Sequence, residues 1–144
     1  MKKWLVAAGL TTTIFVTAAC GNEEVNGQGP SDVAIQWVNA EIQNNQHKML
    51  ELLDEKSIAL DKEIKGDNES EAENYKLTEW KASDNRYFYE MIYENPEDKK
   101  MVTERMEIIK TDDGWKRTSY SDLRNFDTHI ADIEPKILKE LHNQ

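Results

Sequence analysis

A second cysteine is missing from this chain of 144 residues, and the single one, Cys20, stands near the start. One thiol per molecule excludes an internal disulfide framework, a Cys-based zinc site and a thiol redox pair. Histidine is almost as scarce. His47, His129 and His142 lie far apart, with no pair four residues apart on a helix, so no metal site is expected. Glycine-rich phosphate loops and nucleophile elbows are absent, and Ser, His and Asp occur without any catalytic context. No cofactor is implied. Positive charge is the minority sign: 18 Lys and Arg against 28 Asp and Glu give a formal charge of −10. Phosphate polymers and anionic headgroups repel such a surface, which argues against nucleic acid as a partner and against a polybasic membrane patch. A long hydrophobic run is also lacking. The apolar stretch from Trp4 to Ala19 falls short of the roughly 20 residues of a comfortable membrane span.

That short stretch has a different use. Lys2 and Lys3 precede it and the small pair Ala18-Ala19 ends it, which is the layout of a cleaved secretory signal. With Cys20 directly after, Ala18-Ala19-Cys20 resembles the lipobox of bacterial lipoproteins, although Thr17 stands where that motif usually has leucine. The resemblance implies that residues 1–19 are removed and that Cys20 is diacylated and becomes the first residue. The mature protein is then held by lipid on the outer face of the cell membrane. Two acyl chains, at about 0.8 kcal/mol per buried methylene, anchor stably where one is marginal. The leader carries two of the 18 basic residues and none of the 28 acidic ones, so 16 against 28 leaves a formal charge of −12 on the mature chain.

The remainder suits one domain, expected over residues 31–144, with residues 20–30 as the lipidated cysteine and a flexible tether. The tether's root-mean-square span is roughly 17 Å. Pro30-Ser31-Asp32 reads as a helix start with Ser31 as the cap, and Val33, Trp37, Val38 and Ile42 follow at helical spacing. Asn44-Asn45 interrupts. A second helix buries Met49, Leu50, Leu52 and Leu53, and a third short one is expected over residues 57–65 with Ile58, Leu60 and Ile64. Residues 66–74 form an acidic loop. Its Asp67, Glu69, Glu71 and Glu73 lack the spaced ligands and central glycine of a calcium loop and read as a solvated charge run.

From Tyr75 the period changes to two. Strands are expected over residues 75–82, 86–94, 101–110 and 115–120, joined by short turns into an antiparallel meander. Ile130, Ile133, Ile137, Leu138 and Leu141 return to helical spacing, and a closing helix is expected from about Pro135. The fold class is therefore α+β: N-terminal helices on a four-stranded antiparallel meander, with a short C-terminal helix.

The order of these elements, with Ala34-Ile-Gln-Trp-Val-Asn-Ala-Glu-Ile42 and Asp113-Gly-Trp-Lys116, resembles the nuclear-transport-factor-two-like, or cystatin-like cone, superfamily. The resemblance implies a pocket between helices and sheet, and the superfamily hosts enzymes, receptors and interaction modules alike. Tyr87, Tyr89, Met91 and Tyr93 share one face of the second strand, with Phe88 and Ile92 on the other. In a cone, Tyr87, Tyr89 and Tyr93 are the candidate ligand-binding hydroxyls; the plainer reading of that face is core packing. An isomerase site also needs a carboxylate base, and Glu90 and Glu94 point away from the tyrosines. Trp37, Trp80 and Trp115 read as core residues. With no chemistry motif, the expectation is a non-catalytic, membrane-tethered interaction module with a protein partner in the envelope. The alternative is a small-molecule carrier or isomerase-like enzyme that uses a cone pocket.

Overall fold

The computed structural model describes residues 24–142. Cys20 and the expected leader, residues 1–19, lie outside the described residues. Helix α1 (Pro30–Ile42) and helix α2 (Gln46–Leu52) come first, followed by strands β1 (Tyr75–Ser83), β2 (Arg86–Glu94), β3 (Met101–Thr111) and β4 (Gly114–Arg117). A one-turn helix α3 (Phe126–Ile130) and a strand β5 (Pro135–Lys139) complete the chain. One antiparallel sheet results, in the order β4-β3-β2-β1-β5.

Helix α1 starts one residue or so before the expected cap. Gly29, not Ser31, is the capping residue, with Pro30 in the first helical position. Asp32 reaches back to accept from the Gly29 amide at 2.8 Å, satisfying a donor the helix leaves orphaned. Asn45 caps α2 by accepting from the Lys48 amide at 2.9 Å. Both helices lie on one face of the sheet. Val33, Ala34, Trp37 and Val38 of α1, and Met49 and Leu52 of α2, pack there on Leu77, Tyr87, Tyr89, Met91, Met106, Ile108 and Trp115.

The opposite face has its own cover. After β4, residues 118–134 form a strap that crosses the sheet and packs Phe126 edge-on against Trp80 and Phe88, at ring separations of 5.4 and 6.3 Å. Leu123, Ile130 and Ile133 close round them. The strap delivers the chain to the free edge of β1, where β5 pairs Ile137 with Thr78 and Pro135 with Trp80.

Four further expectations need correction. The C-terminal segment from Pro135 is a strand rather than a helix, so the sheet has five strands and not four. The unpaired edge of β1 offers a row of backbone partners to a five-residue segment too short to be a stable helix. Pro135 occupies the first strand position, where its missing N–H is tolerated. Residues 57–65 form turns rather than a third helix. Ser57 Oγ takes the Ala59 amide at 3.2 Å and Asp61 Oδ1 takes the Glu63 amide at 2.9 Å, so side chains capture the donors a helix needs. Part of the expected tether is folded as well. Val25 and Gln28 exchange backbone hydrogen bonds of 2.9 and 3.1 Å across Asn26-Gly27. Both central residues have positive φ, 55° and 77°, the geometry that favours Asn-Gly in a two-residue hairpin turn. Strand β4 also stops at Arg117, short of Tyr120.

Candidate functional site

Register decides which side chains meet beneath α1. In β2 the alternation puts Tyr87, Tyr89, Met91 and Tyr93 on the helix side, each at most 3% exposed. Tyr89 lies opposite Glu79 of β1, and its hydroxyl donates to Glu79 Oε2 at 2.6 Å. Both side chains are buried, and burial followed by this hydrogen bond to Glu79 pushes the Tyr89 phenol up. Tyr87 stacks on Tyr89 at 6.2 Å and meets Trp115 edge-on at 5.4 Å. The three candidate tyrosines thus share a face, but their rings are packed into the core.

The densest polar group sits at one end of this face, around Arg117. That side chain is 1% exposed, yet it is an arginine. Its guanidinium carbon lies 4.2 Å from the Trp37 ring centroid. Nε donates to the Ser119 carbonyl at 2.6 Å, Nη1 to Glu104 Oε2 at 3.2 Å and Nη2 to the Tyr120 carbonyl at 3.3 Å. Asp122 stands 3.9 Å from Nη2. A buried cation is tolerable only when paired and hydrogen-bonded, and every arm of this one is engaged.

Glu104 of β3 and Glu41 of α1 form the acidic side of the cluster, near enough for each carboxyl to act on the other's ionisation. Burial, then the neighbouring Glu41 charge, pushes the Glu104 carboxyl up to about 8, against the pull of Arg117. Glu41 as a whole residue keeps open surface. Its carboxyl is nevertheless crowded by Glu104 and Asp122, and loss of water is the largest cause raising it. Neighbouring carboxyls resist ionising together, because their like charges repel. Tyr93 adds a hydroxyl whose ionisation is suppressed first by burial and then by Glu41 and Glu104. Glu41 also lines a surface cleft of about 520 Å³ with Asn44, Asp67, Asn68 and Asn95. The buried indole Nε1 of Trp37 has no hydrogen-bond partner.

The sequence reading missed Glu79, Glu104 and Arg117, and strand alternation could have found them. Glu79 follows Leu77 by two residues, Glu104 precedes Met106 by two and Arg117 follows Trp115 by two, so each falls on its strand's core face. Glu90 does point away from the tyrosines, where it pairs with Arg105 at 2.8 Å. Among the described residues no group of three His, Cys, Asp or Glu is arranged to hold a metal ion, and no helix is long and apolar enough to cross a membrane.

No family model, no curated protein and no solved structure matches this chain.

Proposed function

We propose that this chain is an exported, lipid-anchored interaction domain of the cell envelope that works through its surface. The signal-like layout of residues 1–19, directly before Cys20, supports the anchoring. One structural observation carries the rest of the reading. Trp37, Tyr87, Tyr89, Met91, Met106 and Ile108, each at most 1% exposed, fill the space under α1 that a cone-type carrier keeps hollow. The likeness to the cone superfamily belongs to this proposal as fold analogy, and by itself assigns no activity. The partner is an envelope protein. Photo-crosslinking in intact cells, followed by mass spectrometry of what remains bound to the purified protein, tests the reading. One stoichiometric membrane partner is expected; a co-purifying small apolar ligand without any protein would favour the carrier instead.

A second reading has one specific observation in its favour. Glu104, with its carboxyl pushed up to about 8, sits beside Tyr93 and Glu41, and such a carboxyl is placed to move protons near neutral pH. Turnover in an isomerase or hydrolase panel that disappears in a folded Glu104→Gln variant would move the assignment to an enzyme. The cluster's other evident work is structural, because Arg117 ties down Ser119 and Tyr120 at the start of the strap.

A further inference from the structure

Ile58 is fully exposed, more so than any other large apolar side chain among the described residues. The turn that carries it is held in place. Leu60 packs on the main core, the Ala59 amide donates to Ser57 Oγ at 3.2 Å, and the Asp61 amide donates to Gln46 Oε1 at 2.7 Å. The fold therefore presents Ile58 outward. With Leu50, Ala59 and Leu60 it forms the apolar part of a shallow cleft against α2.

We infer that the Ile58 surface is a membrane contact, seated on the bilayer to which Cys20 tethers the domain. This rests on the lipid-anchor reading above. The place where the chain enters the fold selects the occupant. Four residue steps separate Cys20 from Glu24, the first described residue, a reach of at most about 14 Å at 3.3–3.6 Å per residue. Val25 follows and lines a cleft with Lys48, Glu51 and Leu52 of α2 and with Trp115 of β4. The Ile58 cleft is lined by Gln46 and Leu50 of the same helix. From Gln46 to Leu52 that helix rises only about 9 Å at 1.5 Å per residue. Gln46 and Leu50 lie on one flank of α2 and Lys48, Glu51 and Leu52 on the other, so the tether's exit and Ile58 stand on either side of its outward face. A helix is only about 10–12 Å across with its side chains, and so short a tether keeps this outward face and both its flanks near the headgroups.

The other edge of the sheet is directed elsewhere. Strand β5 lies four strand spacings from β4, about 19 Å. Charge permits the contact. Residues 46–65 carry four lysines against five acids, near balance in a chain whose formal charge is −10. Asp67, by contrast, belongs to the acidic loop held across the end of α1 by Asn44. Burial of one isoleucine weights the inserted orientation by roughly ten- to a hundredfold.

The test places a polarity-sensitive fluorophore at position 58 of the full chain through Ile58→Cys, produced in a bacterium that acylates lipoproteins. Acylated Cys20 has no free thiol, so the label reports one site. In vesicles of phosphatidylethanolamine and phosphatidylglycerol, emission at 58 should shift to the blue and be quenched by nitroxide-labelled lipid. The same probe at Ile137→Cys, on the half-exposed β5 position, should keep its aqueous spectrum. An aqueous spectrum at 58 in acylated, vesicle-bound protein overturns the inference and leaves the lipid anchor standing. A blue shift seen only in native membranes overturns it too, because a protein then covers Ile58. Absence of acyl chains from the mass spectrum overturns both readings.

Discussion

Replacing Arg117 with alanine removes the cation around which one end of the core is organised. The guanidinium is 1% exposed, lies against the Trp37 ring at 4.2 Å and donates to Glu104 and to the Ser119 and Tyr120 carbonyls. Taking away one partner of a buried ion pair costs about 3–5 kcal/mol, because the other charge is left without compensation. With a urea m-value of about 2 kcal/mol per M for a domain of this size, Arg117→Ala should lower the unfolding midpoint by about 2 M. The loss should also depend on pH. At pH 5, well below the value of about 8 to which Glu104 is raised, its carboxyl is protonated and leaves little charge uncompensated, whereas at pH 8.5 it is ionised, so the penalty is larger at the higher pH. Combining Arg117→Ala with Glu104→Gln should recover part of the loss, a coupling that a double-mutant cycle measures. An Arg117→Ala midpoint within about 0.5 M of the parent, at both pH values, would refute the reasoning.

The wild-type domain should itself become less stable as pH rises. Glu104 folds with its carboxyl raised from 4.5 to about 8, so its contribution is complete below 4.5 and is lost as pH climbs through 8. The slope is at most about 1.4 kcal/mol per pH unit for each proton, and urea midpoints between pH 5 and 8.5 should flatten in Glu104→Gln. Phe126→Ala should cost about 3–5 kcal/mol, because this ring, 3% exposed, fills the space between Trp80 and Phe88. Thermal unfolding measures that loss, and a change under about 1 kcal/mol would show that the strap does not close the second core.

Legibility in the sequence followed the local physics. The bounds of β2 match those expected because nothing competes with the alternation of Tyr87, Tyr89, Met91 and Tyr93, flanked by turns at Asp84-Asn85 and Asn95-Pro96. The tail misled because Ile130, Ile133 and Ile137 have helical spacing without sharing a surface. Ile130 and Ile133 pack on the Trp80–Phe126 cluster, while Ile137 is half-exposed on the edge strand. Which edge of a sheet stands open is a tertiary fact, and the β5 pairing depends on it. Asn26-Gly27 was a readable hairpin signal inside the supposed tether, obscured by its glycine-rich setting. The tyrosine face and its place in the core were both legible from period. Which side chains fill against it was not, since Met106 and Trp37 reach it from β3 and α1. Glu104 and Arg117 were hidden by the habit of reading charge as surface, although their strands place them inward.

The lipid anchor is the premise on which the proposed role and the orientation at the membrane both stand. Mass spectrometry of the N-terminal peptide, from protein extracted out of cell membranes with detergent, tests it most directly. The account predicts a first residue Cys20 that carries two acyl chains, with residues 1–19 gone. A leader still attached, or a cut elsewhere that leaves Cys20 as a free thiol on protein in the soluble fraction, would contradict it.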